Sequence, residues 1–320
     1  MKLGVIADTH GNELALRAVL DDAARYHVDR WWVLGDLVLS GPRPAEVLEL
    51  LRDLPGVSML RGNTDRYVLT GEQPALHATA ASAATSIDLV ERYAAVAAGI
   101  GWTRGVLGQA GTLEHLATLP PQLRLQLPGG TTLLGVHASP GADDGPGIDP
   151  NLPDEQLRGL LTGYGAEVVV GGHTHHQVDR LVGGIRALNP GSTGMPRPPG
   201  RAGWLLLHEG GQGDLTAEHH TVPFDVDAVV RDLRHRRHPT PPSSRPSSPD
   251  NVSNYGHPQQ LTRNSAWMPQ VWVTVSPGCR TSRSSPVTKA FGGQVMGSTA
   301  SAVRRRSGPS GSPVNTCSQR

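Results

Sequence analysis

Five short clusters of His, Asp and Asn punctuate the first 175 residues: Asp8-Thr9-His10, Gly35-Asp36, Gly62-Asn63-Thr64-Asp65, Val136-His137 and Gly171-Gly172-His173-Thr174-His175. Each is weak alone, since a single His is usually structural and an Asp after an apolar run is often a turn or cap residue. Together they form a donor set of imidazole, carboxylate and amide oxygen with no sulfur. That set suits borderline and hard divalent ions such as Mn, Fe, Zn or Ni. Asp36 has two carboxylate oxygens and can bridge two ions, while Asn63 adds one neutral carbonyl. Two ions roughly 3.5–4 Å apart can share a bridging water and lower its pKa towards neutrality, giving a hydroxide nucleophile. The same ions neutralise phosphate oxygens as charge builds in the transition state.

Such chemistry requires elements that deliver each cluster to one place. "KLGVIA" reads as a buried strand that stops at Asp8, and Asn12 is a good cap for a helix running to about Tyr26. "DRWWVLGD" is a second strand ending at Asp36. Pro44 suits the first position of the next helix, and "VSMLRGN" is a third strand. This β-α-β-α-β opening predicts parallel strands covered by helices, with polar residues at the rim where ligands bind in open α/β sheets. Residues 75–118 are Ala-rich and predict a helical insertion, one face carrying Leu76, Ala80, Ala83, Ile87, Val90 and Ala94, and a second helix running from about Thr103 to Ala117. Covering the site and forming an ordinary packing layer are equally open roles for it. From Leu123 the period turns to two. "LRLQL" and "TLLGVH" predict a hairpin, a short helix follows near 154–162, and "AEVVVGGHTH" is a further strand ending in histidines. Strands around 178–188, 203–208 and 214–222 and a helix over 225–236 complete the body, so two packed sheets are expected.

Composition divides the 320-residue chain near His238. Hydrophobic residues make up 37% of the whole, but Pro, Ser, Arg and Gly dominate afterwards, as in "HPTPPSSRPSSPDN". Residues 239–320 bury too little apolar surface to offset their ordering entropy and are expected to be disordered. This tail holds nine of the 29 Lys/Arg and one of the 28 Asp/Glu, leaving a body of net charge −7. An acidic body argues against an extended nucleic-acid groove. Any nucleic-acid contact is expected only through the basic tail, which could equally touch its own acidic body or be non-native sequence. Both cysteines, Cys279 and Cys317, lie in the tail, so neither a disulfide framework nor a thiolate zinc site supports the body. The N-terminus reads as a strand rather than a signal peptide, and no run of 18 apolar residues exists to span a membrane. A cytoplasmic setting is the expectation; oligomeric state is not readable.

In this order, D-x-H, GD, GN-x-D, H and GH-x-H resemble the calcineurin-like metallophosphoesterase superfamily over residues 1–235. "ADTHGN", "GDLVLSGPRP" and "NPGSTG" at 189–194 resemble its small bacterial and archaeal phosphodiesterase branch. The resemblance implies a four-layer α/β/β/α sandwich of two mixed sheets over residues 1–238. It implies one metal held by Asp8, His10, Asp36 and His175, and a second held by Asp36, Asn63, His137 and His173, with Asp36 shared. Asp36, Asn63 and His137 would be the catalytic core, acting on a small phosphorylated substrate. The implied activity is hydrolysis of phosphodiesters or monoesters. Dinucleoside polyphosphates, nucleic-acid ends and a non-catalytic metal-stabilised module are the alternatives. One position departs: many members carry a His after the Asn, thought to protonate the leaving group, and here it is Thr64. Asp65 is expected to orient the motif. Arg61, Arg66, His77 and His115 are weaker candidates for reaching substrate and His176 for donating a proton, while His219-His220 read as polar strand positions and Asn189–Ser192 resemble a family loop near the metals that reads as a structural turn.

Overall fold

Alternation within the first strand decides the layering. In β1 (Lys2–Ile6), Leu3 and Val5 point into one apolar cluster and Ile6 into another. In β2 (Arg30–Leu34) the same split separates Trp32 and Leu34 from Trp31 and Val33. A strand apolar on both faces must be covered on both, which requires a layer above and a layer below. The computed structural model describes residues 1–73, 87–210 and 214–239. The expected tail and the first part of the insertion, including His77, lie outside the described residues.

Two five-stranded mixed sheets stack face to face. The first has the order β10-β9-β1-β2-β3, with β3 (Ser58–Leu60) parallel to β2, and β9 (Arg201–Glu209) and β10 (Leu215–Pro223) antiparallel. The second has the order β4-β5-β6-β8-β7. Here β4 (Gln122–Gln126) and β5 (Thr132–Val136) form the expected hairpin, β6 (Val168–Val170) runs parallel to β5 and β8, and β7 (Gln177–Val182) turns back into β8 (Ile185–Pro190). Between the sheets lie Leu3, Val5, Trp32, Leu34, Leu133, Val168, Val170, Leu205 and Leu207. The outer face of the first sheet is covered by α1 (Glu13–Ala23) and α2 (Pro44–Arg52), which bury Leu16, Val19, Val47, Leu48 and Leu51. The outer face of the second is covered by α6 (Asp154–Leu161) through Leu157 and Leu161. The α/β/β/α sandwich is thus the observed architecture.

Local signals set several boundaries. Asn12 accepts the Ala15 N–H at 3.1 Å and starts α1, and Pro44 occupies the first turn of α2. Two differences from the sequence expectation matter. A helix not expected, α3 (Asn63–Thr70), begins directly at the third motif. The insertion runs unbroken as α4 (Ile87–Gln109), and the chain turns at Gly111 before α5 (Leu113–Thr118). Gly99, Gly101 and Gly105 stay helical, whereas Gly111 takes a φ of 68°. Leu107 and Leu116 are buried in the same core as α2, so the described part of the insertion is a packing layer. The final helix, α7 (Val226–His235), is tied to α2 by Arg43–Asp232 at 2.5 Å and Arg236–Glu46 at 2.6 Å. Among the described residues no helix is long and apolar enough to cross a membrane.

Candidate metal centre

The ends of β1, β2, β3, β5 and β6 meet at one rim, and each delivers one motif. The loop after β1 and the loop after β2 continue as a ladder beyond the sheet: Asp8 N–H donates to Gly35 O at 3.0 Å, His10 N–H to Asp36 O at 2.9 Å, and the Thr9 hydroxyl to Leu37 O at 2.9 Å. Five of the seven expected metal ligands, Asp8, His10, Asp36, His173 and His175, adopt left-handed backbone with φ between 47° and 69°. Such conformations cost of order 1–3 kcal/mol each for non-glycine residues and collect where function over-determines the chain. Glycines admit the close nesting. A Cβ on Gly62 would collide with the Asp36 carboxylate, and one on Gly172 would lie 2.7 Å from Asp8 Oδ2.

All seven residues come together, although 167 positions separate the first from the last. Asp8, His10 and His175 form one buried group and Asp8, Asp36 and His137 a second, with Asp8 common to both. His10 Nε2 lies 3.2 Å from His175 Nε2, and His175 Nε2 lies 3.5 Å from Asp8 Oδ1. Asp36 faces both sides, with Oδ2 3.7 Å from His10 Nε2 and Oδ1 3.2 Å from His137 Nε2. Asn63 Oδ1 lies 2.8 Å from His137 Nε2 and 3.1 Å from His173 Nδ1.

The outer nitrogens of three rings explain why this cluster fits cations. His10 Nδ1 donates to Leu39 O at 3.0 Å, His137 Nδ1 to Leu34 O at 2.7 Å and His173 Nε2 to Gly145 O at 3.0 Å. A carbonyl only accepts, so those nitrogens carry the protons and the inner nitrogens present lone pairs. Those lone pairs converge on carboxylate and amide oxygens, an arrangement that repels itself unless positive charge lies between. Without a cation, a proton on His137 supplies that charge. Burial disfavours charge on His137, but adjacent Asp36 overcomes it and pushes the ring up to about 10. Burial also works against ionised Asp36, yet the His137 and His10 imidazoles hold it well below the usual carboxylate range. His10 and His173 are lowered, in both cases mainly by burial.

The surrounding residues support this frame. Asp65 accepts Leu37 N–H and Gly62 N–H, each at 2.9 Å, and so stitches the second loop to the third. Burial and the Asp36 charge raise it to about 7. Asn189–Gly194 is more than a turn. Asn189 Nδ2 donates to Gly172 O at 2.7 Å, and the Ser192 hydroxyl and Gly194 N–H both donate to Asp8 O. His219 Nε2 donates to Asn189 O at 2.9 Å, while His220 stacks on Trp204 at 4.4 Å with its Nε2 3.9 Å from Glu218. Thr64 N–H donates to Asp36 Oδ1 at 2.9 Å, and its enclosed hydroxyl has no partner among the described residues.

The weaker candidates are placed elsewhere. Arg66 is engaged by Asp143, Asp144 and Glu72 and lies over the Tyr67 ring, so its charge is already compensated. Arg61 follows β3 and donates its N–H to Pro120 O. His115 sits on α5, lowered by burial and by the Arg52 charge. His176 lies between Asp149, at 3.5 Å, and Arg197. Sequence reading missed Tyr67 and the loop carrying Asp143, Asp144 and Gly145. Recognising α3 would have revealed Tyr67, because positions i and i+4 of a helix share a face with Asn63.

Residues 1–211 match the family model described as the calcineurin-like phosphoesterase superfamily domain. The chain belongs to that superfamily. It is 29% identical over 253 residues to the uncharacterized protein MJ0912 of Methanocaldococcus jannaschii, covering 74% of this chain and 93% of that protein. The fold matches the crystal structure of the hypothetical protein PH1004 of Pyrococcus horikoshii with a TM-score of 0.61 at 22% identity, over 74% of this chain and 93% of that one. It also matches a metallophosphoesterase from Sphaerobacter thermophilus with a TM-score of 0.54 at 24% identity, over 73% and 94%. Superfamily membership and two adjacent donor groups sharing Asp8 make this a metal-dependent phosphoesterase with a dinuclear site.

Proposed function

We propose that Asp8, His10, Asp36 and His175 hold one divalent cation and Asp36, Asn63, His137 and His173 the other, with Mn2+ foremost and Fe, Zn or Ni as alternatives. The observation that carries this reading is the locked orientation of three imidazoles, whose outer nitrogens donate to Leu39, Leu34 and Gly145 carbonyls while their inner nitrogens converge. The two oxygens of Asp36 each face a histidine of a different set, which supports its role as the shared ligand. When bound, the two cations supply an acidified water and neutralise phosphate oxygens.

The chain's own residues hold that chemistry in register. The Thr64 N–H donates to Asp36 Oδ1 and limits its rotation. Ser192 and Gly194 fix the Asp8 backbone against the strained turn. Thr64 offers a hydroxyl where an imidazole would be a better proton donor, so the enzyme acts best on small phosphate esters with good leaving groups. The catalytic domain is residues 1–238, supported by α7 docking on α2 and by His238 packing against Trp102 at 4.6 Å. A cytoplasmic setting is carried forward from composition.

Turnover of bis(p-nitrophenyl) phosphate with added Mn2+ tests the assignment. Asp36→Ala and Asn63→Ala are each expected to reduce it to background while the circular dichroism spectrum stays that of the wild type. Wild-type inactivity across Mn2+, Zn2+, Fe2+ and Ni2+ would reject a catalytic role.

A further inference from the structure

The tip of Asn63 carries one oxygen and one nitrogen, and only the oxygen can serve a cation. One neighbour on the histidine side favours the wrong atom. His173 Nδ1 lies 3.1 Å from Oδ1 and presents a lone pair because its Nε2 donates to Gly145 O, while His137 Nε2 lies 2.8 Å from the same oxygen. An amide turned end for end would donate an N–H to His173. The opposite end prevents this. Asn63 Nδ2 lies 3.4 Å from the Tyr67 hydroxyl, and that hydroxyl donates to Asp144 Oδ2. A carboxylate only accepts, so the single hydroxyl proton of Tyr67 is committed and its oxygen offers lone pairs alone. A reversed amide would set oxygen against oxygen. Arg66 anchors the acceptor, reaching Asp143 at 2.8 and 3.0 Å and Asp144 at 3.1 Å. The carbonyl of the next residue of that loop, Gly145, accepts the hydrogen bond from His173 Nε2–H.

We propose that Tyr67 and Asp144 form an orientation lock on Asn63, so that the cation held through Asn63, His137 and His173 binds tightly only while the lock is closed. Tyr67 is a positioning residue here, and the inference rests on the ligand sets proposed above. The cation held through Asp8, His10 and His175 lies outside its reach.

Calorimetric titration of the full chain with Mn2+, together with electron paramagnetic resonance of the loaded protein, tests this. Wild type is expected to bind two ions with a spin-coupled signal. Tyr67→Phe is expected to weaken one ion about 10–100-fold, the usual scale for groups that orient a ligand, leave the other unchanged and remove the coupled signal at stoichiometric metal. Asp144→Ala, on a part-exposed loop, should reproduce the effect by freeing the Tyr67 proton. In an Asn63→Asp background both tip atoms are oxygens, so adding Tyr67→Phe should cost nothing further. Unchanged affinities in Tyr67→Phe and Asp144→Ala, or an equal loss in the Asn63→Asp background, would overturn the lock while leaving the ligand sets intact. A wild-type chain that binds fewer than two ions would overturn the ligand sets and the lock with them.

Discussion

At the scale of single residues, the metal centre is a matter of which atom of each side chain faces inward. Histidine and asparagine each have two chemically different ends, and backbone carbonyls or Tyr67 decide between them. Thr64 is the position where, on the proposed function, this arrangement lacks a strong acid. Wild-type turnover is expected to fall steeply as the leaving-group pKa rises across a series of aryl and alkyl phosphate esters. Thr64→His should flatten that dependence, raising rates on the poorest leaving groups by up to about 10²–10⁴-fold, the typical worth of general acid help. A flat wild-type series would remove the argument.

Among the elements, the parallel strands β1, β2 and β3 in one sheet and β5 and β6 in the other carry the motifs to a common rim, and the helices hold the rim in place. Helices α4 and α5 pack against α2 and α3 through Leu107 and Leu116, both fully buried. Leu107→Ala is therefore expected to cost about 2–5 kcal/mol of stability. The KM for a small ester should stay that of the wild type at temperatures where the variant is folded. Urea unfolding together with steady-state kinetics would check both, and a raised KM at intact fold would instead assign α4 a role over the substrate.

Across the whole molecule, the centre couples metal binding to stability, because its donors come from both sheets. Mn2+ at a hundredfold excess over its dissociation constant is expected to add about 2.7 kcal/mol per site and raise the melting temperature, an effect EDTA should abolish. A chain ending at residue 238 should melt and turn over as the full chain does; loss of folding would move the domain boundary. The types of the side chains that converge, their order and the strands that precede them were legible in the sequence. Apolar runs ending in Asp, His or Asn are local signals, and the period of apolar residues distinguishes strand from helix. What was not legible depended on contacts between distant segments. Helix α3 was hidden because its opening residues, Asn63 to Asp65, read equally well as the end of a strand, and Tyr67 went unnoticed with it. The break in the insertion fell at Gly111, with a φ of 68°, while four earlier glycines stayed helical in a segment whose Leu107 is buried. Above all, residue types name possible ligands, but the direction of a lone pair is set by the carbonyls of Leu34, Leu39 and Gly145, and only the packed tertiary structure brings those groups within hydrogen-bonding distance.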